Sequence, residues 1–125
     1  MPHVTVEYSA NLATLDVPWV LYKLNQCLVD IGIFQETDIK TRAYRSDNFL
    51  IGLQDESVEH AFFAVRVEML SGRERAVKVQ VGQALLRTLE ALNVGLPDVS
   101  TQLTVQVQEI EPEIYFKSYT DGGVG

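Results

Sequence analysis

The chain has 125 residues, 46% of them hydrophobic and 22% charged, an ordinary balance for one globular domain long enough to bury a core. Its formal charge of −7 argues against sequence-independent binding to a nucleic-acid backbone, which needs clustered Lys and Arg, and leaves any anionic substrate dependent on a local cationic pocket. No apolar run approaches the ~18 residues of a membrane span and no secretory signal precedes the first polar residues, so a membrane role is not expected and the expected address is the cytoplasm.

The N-terminal stretch HVTVEYS reads as a strand, with Val4, Val6 and Tyr8 alternating against His3, Thr5 and Glu7. A helix is predicted from Val17 to Ile31, with Asp16 as N-cap, Pro18 tolerated in the first turn and Gly32 as the stop. Val17, Leu21, Leu24, Leu28 and Ile31 form its apolar stripe. The single cysteine, Cys27, excludes an internal disulfide and fits a small core residue of this helix. A second strand follows in TDIKTRAYR, with Ile39, Thr41 and Ala43 on one side and Lys40, Arg42 and Tyr44 on the other.

After the polar stretch SDNFLIGLQDESVEH, expected to hold a turn or small hairpin, the pattern repeats. AFFAVRVEML is the third strand, and Ser71 with Glu74 has the spacing of a capping box opening a second helix. The alternating valines of AVKVQVGQ suit a strand, but Val77, Val81, Ala84, Leu85, Leu89 and Leu92 sustain a helical stripe over ~20 residues, a length that favours helix. TQLTVQVQE is the last strand, with Leu103, Val105 and Val107 alternating against polar partners. Two β-α-β units with parallel strands then give an α/β two-layer sandwich: a four-stranded sheet with both helices on one face. The other face carries Thr5, Glu7, Arg66, Glu68, Thr104, Gln106 and Gln108, to be either solvated or used in assembly. Residues 1–119 are expected to form one domain and TDGGVG, residues 120–125, a flexible tail.

His3 and His60 are the only histidines and no carboxylate or Cys stands at metal-ligand spacing beside them, so no metal site is expected. No GxSxG, P-loop or GxGxxG sequence occurs. What remains is Pro2 and a set of cations. Behind the initiator methionine, Pro2 is either a strand-start residue whose missing N–H costs nothing or, once Met1 is removed, a terminal secondary amine. Burial and neighbouring cations would lower the pKa of such an amine toward neutrality and make it a general base. Lys40 and Arg42 share one face of their strand and Arg73 is expected at the start of the second helix; these are solvated surface charges or, together, a binding site for carboxylates.

MPHVTVEYSANL, IGIF followed by IKTRA, MLSGRERAVKVQVGQALL and VQEIEPEIYFKSY resemble, in order and spacing and to about Tyr119, the 5-carboxymethyl-2-hydroxymuconate isomerase family. That family lies in the tautomerase superfamily with 4-oxalocrotonate tautomerase and macrophage migration inhibitory factor. The resemblance implies a tautomerase-like fold and a homotrimer with a site at each subunit boundary. It further implies Pro2 as catalytic base, Arg73 binding a substrate carboxylate or polarising its carbonyl, and Arg42 with Lys40 holding the other end. Related sequences often have arginine where Lys40 stands, and a lysine does not supply the same bidentate fork. Tyr115 and Phe116 would form part of an apolar wall around the amine, or pack as ordinary core aromatics.

The reaction so implied is cofactor-independent movement of a proton in a dienol or 2-hydroxymuconate-type di- or tricarboxylate, within homoprotocatechuate breakdown. The alternatives are another activity of the superfamily (2-oxo acid tautomerase, hydratase or dehalogenase) or, with Met1 retained, a non-catalytic trimeric binding protein.

Overall fold

The computed structural model describes residues 1–53 and 57–122. Along the chain run β1 (His3–Ser9), α1 (Val17–Ile31), β2 (Lys40–Ser46), β3 (Glu59–Leu70), α2 (Arg75–Leu92) and β4 (Val99–Ile110), with single 3₁₀ turns at Glu36–Asp38 and Pro112–Ile114. The first helix has the predicted limits for the predicted reasons. The Asp16 carboxylate accepts the Trp19 N–H at 3.2 Å, and Gly32, at φ 83, turns the chain out while its N–H donates to the Val29 carbonyl at 3.0 Å. Its buried line is Val20, Leu24 and Leu28. Leu21, Ile31 and Val17 flank that line, each half-buried, with Val17 beside Val6, Tyr8 and Leu21 at the edge of the core. Cys27 is likewise half-buried, packed at the edge of the core.

Helix α2 starts later than the capping-box spacing implied. Ser71 does not cap it: the Ser71 N–H donates to the Ile110 carbonyl at 2.9 Å and so prolongs the β3–β4 ladder, Gly72 turns at φ 114, and the N-cap position is Glu74, whose side chain makes no capping bond. The ladder's demand for a backbone donor outweighed the local capping option. Arg73 consequently lies in the loop before the helix, not in its first turn. The valine-rich stretch is helical, with Val81, Leu85 and Leu89 fully buried.

The sheet order is β2-β1-β3-β4. Each β-α-β unit contributes a parallel pair, β1 with β2 and β3 with β4, and the two units meet where β1 runs antiparallel to β3. Val4 and Val6 of β1 and Ala61, Phe63, Val65, Val67 and Met69 of β3 point to the helices and form one core with the buried lines of α1 and α2. Packing of α2 on β4 is close: a Cβ added at Gly82 would stand 3.3 Å from the Val107 side chain.

The opposite face of the sheet is polar, as expected. Thr5 lies between Arg42 and Arg66, Glu7 between Tyr44 and Ala64, and Gln106 beside Arg66; Thr5, Glu7, Arg66, Thr104 and Gln106 line a shallow cleft of about 120 Å³. Between β2 and β3 the described residues form bends and turns, with Phe49 edge-on to Phe62 at 5.9 Å. The hairpin expectation there falls partly on residues 54–56, and the flexible-tail expectation partly on residues 123–125, both outside the described residues.

Because Leu85 is fully buried in the core on the inner side of α2, Leu85→Ala is expected to lower unfolding free energy by about 2–5 kcal/mol. Glu90→Ala, on the exposed side of the same helix, is expected to stay within about 0.5 kcal/mol of wild type, both measured by urea denaturation.

Candidate active site

Pro2 stands at the head of β1, immediately before the first ladder residue, and is less than 2% exposed. Its carbonyl accepts the Lys40 N–H at 3.2 Å, which carries the parallel β1–β2 pairing one residue past His3. A proline fits here because its nitrogen has no donor to satisfy. In front of it the Met1 amine has its pKa held below 8.0, first by burial and then by the Lys40 ammonium, with Asp38 acting in the opposite direction.

Three charged side chains converge around that amine. The Lys40 ammonium donates to the Asp38 carbonyl at 2.7 Å, and the Lys117 ammonium donates to the Asp38 carboxylate at 3.0 Å. The bond from Lys117 is the main reason that the Asp38 carboxyl titrates below its usual range; the nearby amine adds to it. Lys117 belongs to the segment that follows β4, so this ion pair ties that segment to the turn before β2.

The next residue, His3, joins two further candidates. Both terminal nitrogens of the Arg42 guanidinium reach His3 Nδ1, at 3.1 and 3.0 Å, and His3 Nε2 lies 3.0 Å from the Tyr115 hydroxyl. A guanidinium only donates, so Nδ1 must be the acceptor and the ring proton must sit on Nε2, pointing to Tyr115. The ring is therefore neutral. Burial, then Arg42, Lys40 and the terminal amine, lower its pKa below 6.5, against a smaller opposing effect of Glu68. Arg42 also donates to the Lys40 carbonyl at 3.3 Å, and Tyr115 meets the imidazole edge-on at 6.1 Å between ring centres.

Pro2, Lys40, Arg42 and Tyr115 are thus gathered at one end of β1. Arg73 is held elsewhere: its guanidinium donates to the Ile33 carbonyl at 3.4 Å and lies 5.1 Å from the centre of the Phe34 ring, which anchors it on the connection after α1. Phe116 is 87% exposed, so it does not pack as a core aromatic of its own chain. Among the described residues, no group of three or more His, Cys, Asp or Glu side chains is placed to hold a metal ion.

His3, Asp38 and Lys117 were not singled out as site residues from the sequence. His3 carried one usable signal, since strand alternation places it on the same face as Lys40 and Arg42 once β1 and β2 are paired in this register. Nothing local links Asp38 to Lys117, which are far apart in the chain.

With the geometry in view, the chain can be compared with known proteins. A family model described as 5-carboxymethyl-2-hydroxymuconate isomerase matches residues 2–120. A solved 5-carboxymethyl-2-hydroxymuconate isomerase from Deinococcus radiodurans R1 is 28% identical and aligns with a TM-score of 0.83, covering 95% of this chain and 90% of that one. A 5-carboxymethyl-2-hydroxymuconate delta-isomerase structure aligns with a TM-score of 0.78 at 23% identity, over 96% of this chain and 89% of that chain. At the level of fold alone, a fused 4-OT structure described as a symmetric trimer aligns with a TM-score of 0.63 at 17% identity, over 98% and 94%. A search of curated proteins gave no match. The two β-α-β units, their mixed four-stranded sheet and the match over nearly the whole chain lead to one conclusion: the chain belongs to the 5-carboxymethyl-2-hydroxymuconate isomerase family and is an isomerase.

Proposed function

We propose that the protein moves a proton within a dienol or 2-hydroxymuconate-type di- or tricarboxylate, with Pro2, freed by removal of Met1, as the general base. The observation that carries this reading is the position of Pro2: a proline at a buried strand head, next to an amine whose pKa lies below 8.0, beside the cations Lys40 and Arg42. A secondary amine there inherits the same desolvation and the same repulsion from Lys40, so its neutral form is favoured near neutral pH.

Neutral Pro2 takes the proton from the substrate hydroxyl or an activated carbon, and the prolinium returns it further along the conjugated system. The dienolate formed between these two steps carries its charge on oxygen. A guanidinium fixed near that oxygen stabilises the transition state, where charge develops on it, more than the ground state, where that oxygen is an uncharged hydroxyl or carbonyl. Arg42 and Lys40 serve as the carboxylate and oxyanion donors at the Pro2 end, and Arg73 is assigned to a second anionic group of the substrate. The local cations matter more than usual because the chain carries a formal charge of −7, which repels an anion at long range.

We further propose a homotrimer acting in the cytoplasm on aromatic breakdown products such as those of homoprotocatechuate. The exposed Ile114, Phe116 and Tyr119 after β4, and the polar sheet face, give one subunit apolar and β-rich surface for another to cover. On this reading Phe116 completes the apolar wall of a neighbouring subunit's site, and Tyr115 the wall of its own. Sedimentation equilibrium is expected to give a mass three times that of the chain, and a monomer would remove the shared-site part of the proposal.

Intact mass spectrometry is expected to show loss of Met1. Processed protein should turn over 5-carboxymethyl-2-hydroxymuconate, and Pro2→Ala should reduce kcat/KM by ~100-fold, the lower range for a positioned base because a primary amine remains. Since only the neutral amine accepts a proton, kcat/KM is expected to rise with pH through a pKa lowered by burial and by Lys40 from that of a free terminal proline amine, and then to level off. Activity confined to other dienols or 2-oxo acids would move the assignment to another activity of the superfamily. Turnover by Met1-retaining protein would remove Pro2 as the base. Arg42→Ala should raise KM by ~10- to 100-fold, the range of one charge-assisted carboxylate contact, with a smaller change in kcat.

A further inference from the structure

We propose that His3 is a positioning residue which occupies the end-on edge of the Arg42 guanidinium and thereby leaves its side-on edge, the Nε–H with one N–H of the adjacent terminal nitrogen, as the fork that takes the substrate carboxylate. The inference deepens the functional reading above and rests on it for the identity of the anion.

The count of donors carries the argument. A guanidinium has five N–H groups, two on each terminal nitrogen and one on Nε. One N–H from each terminal nitrogen converges on His3 Nδ1, at 3.1 and 3.0 Å, which is the pair that would otherwise grip a carboxylate end-on. The second N–H of one terminal nitrogen goes to the Lys40 carbonyl at 3.3 Å. Two donors are left, Nε–H and the outer N–H of the other terminal nitrogen, and among the described residues no hydrogen bond uses either. They are parallel neighbours on one edge and match the two oxygens of a carboxylate.

The arrangement depends on the tautomer of His3. Nδ1 accepts only while the proton is on Nε2, and the Tyr115 hydroxyl at 3.0 Å from Nε2 is the group that holds it there. The other charged groups facing the ring are Lys40 on β2, Glu68 opposite on β3 and the terminal amine. None of these takes the place of Tyr115 as hydrogen-bond partner of Nε2. His3 is thus fixed from one side so that it can fix Arg42 from the other, one residue from Pro2.

Three measurements on Met1-processed protein test this. In ¹⁵N-labelled wild type, the His3 ring nitrogens are expected to read as protonated Nε2 and unprotonated Nδ1 at neutral pH; a protonated Nδ1 overturns the proposal. Titration with cis,cis-muconate, a dicarboxylate that lacks the reacting hydroxyl, is expected to move the Arg42 Nε–H resonance downfield, assigned by its loss in Arg42→Lys. A resonance that stays still while the ligand binds overturns the side-on assignment. His3→Phe, which keeps a ring but has no acceptor, is expected to raise KM by ~10-fold with kcat changed less, and His3→Asn, whose amide oxygen can accept from Arg42, to return KM to within about 2-fold of wild type. Equal impairment in the two variants, with both folded by circular dichroism, overturns the positioning role. If wild type neither binds muconate nor turns over the hydroxymuconate, while the ring nitrogens read as expected, the functional reading falls and takes the carboxylate assignment with it; the His3–Arg42 tie stands by itself.

Discussion

The hydrogen bond from the Lys40 amide to the Pro2 carbonyl sets the register on which the rest of the molecule depends. In a parallel pair, one such bond decides which residues stand side by side along the whole ladder, and a slip of one position would turn every side chain to the other face. Here it places His3 beside Lys40 and Thr5 beside Arg42 on the polar face, while Val4 and Val6 enter the core beneath α1 and α2. The core and the charged cluster are therefore two faces of one strand. Burial of Val4 and Val6 holds the register, and the register holds His3 and Arg42 within reach of each other.

Much of this fold could be read in the sequence because its signals are local. Asp16, Gly32 and the period of α1 act within a few residues of where they stand, and the alternation of β3 needs no partner to be seen. The capping-box reading of Ser71 failed for a physical reason of longer range. Its amide had a better partner in the Ile110 carbonyl, far along the chain, and local spacing cannot reveal that competition. The displacement of Arg73 from the helix to the preceding loop is part of the same event.

The candidate site was legible in its residue types but not in its wiring. Pro2, Lys40 and Arg42 could be singled out as candidates from the sequence, since a proline behind the initiator methionine and clustered cations have a chemistry of their own. Their connection through His3, and the closing of the cluster by Tyr115 and Lys117 from beyond β4, are products of register and chain return. Arg73 shows the same limit in reverse: a residue singled out for the site is held, within one chain, by Phe34 and the Ile33 carbonyl. Lys117 and Asp38, each ordinary on its own, become a clasp only when the segment after β4 returns to the turn before β2.

The burial of Pro2 also has a bearing on the life history of the molecule. A peptidase takes its substrate extended and unpaired, whereas here the Met1–Pro2 bond leads directly into a residue less than 2% exposed at the head of an inner strand. If Pro2 is the working amine, the trimming of Met1 runs in competition with the docking of β1 between β2 and β3.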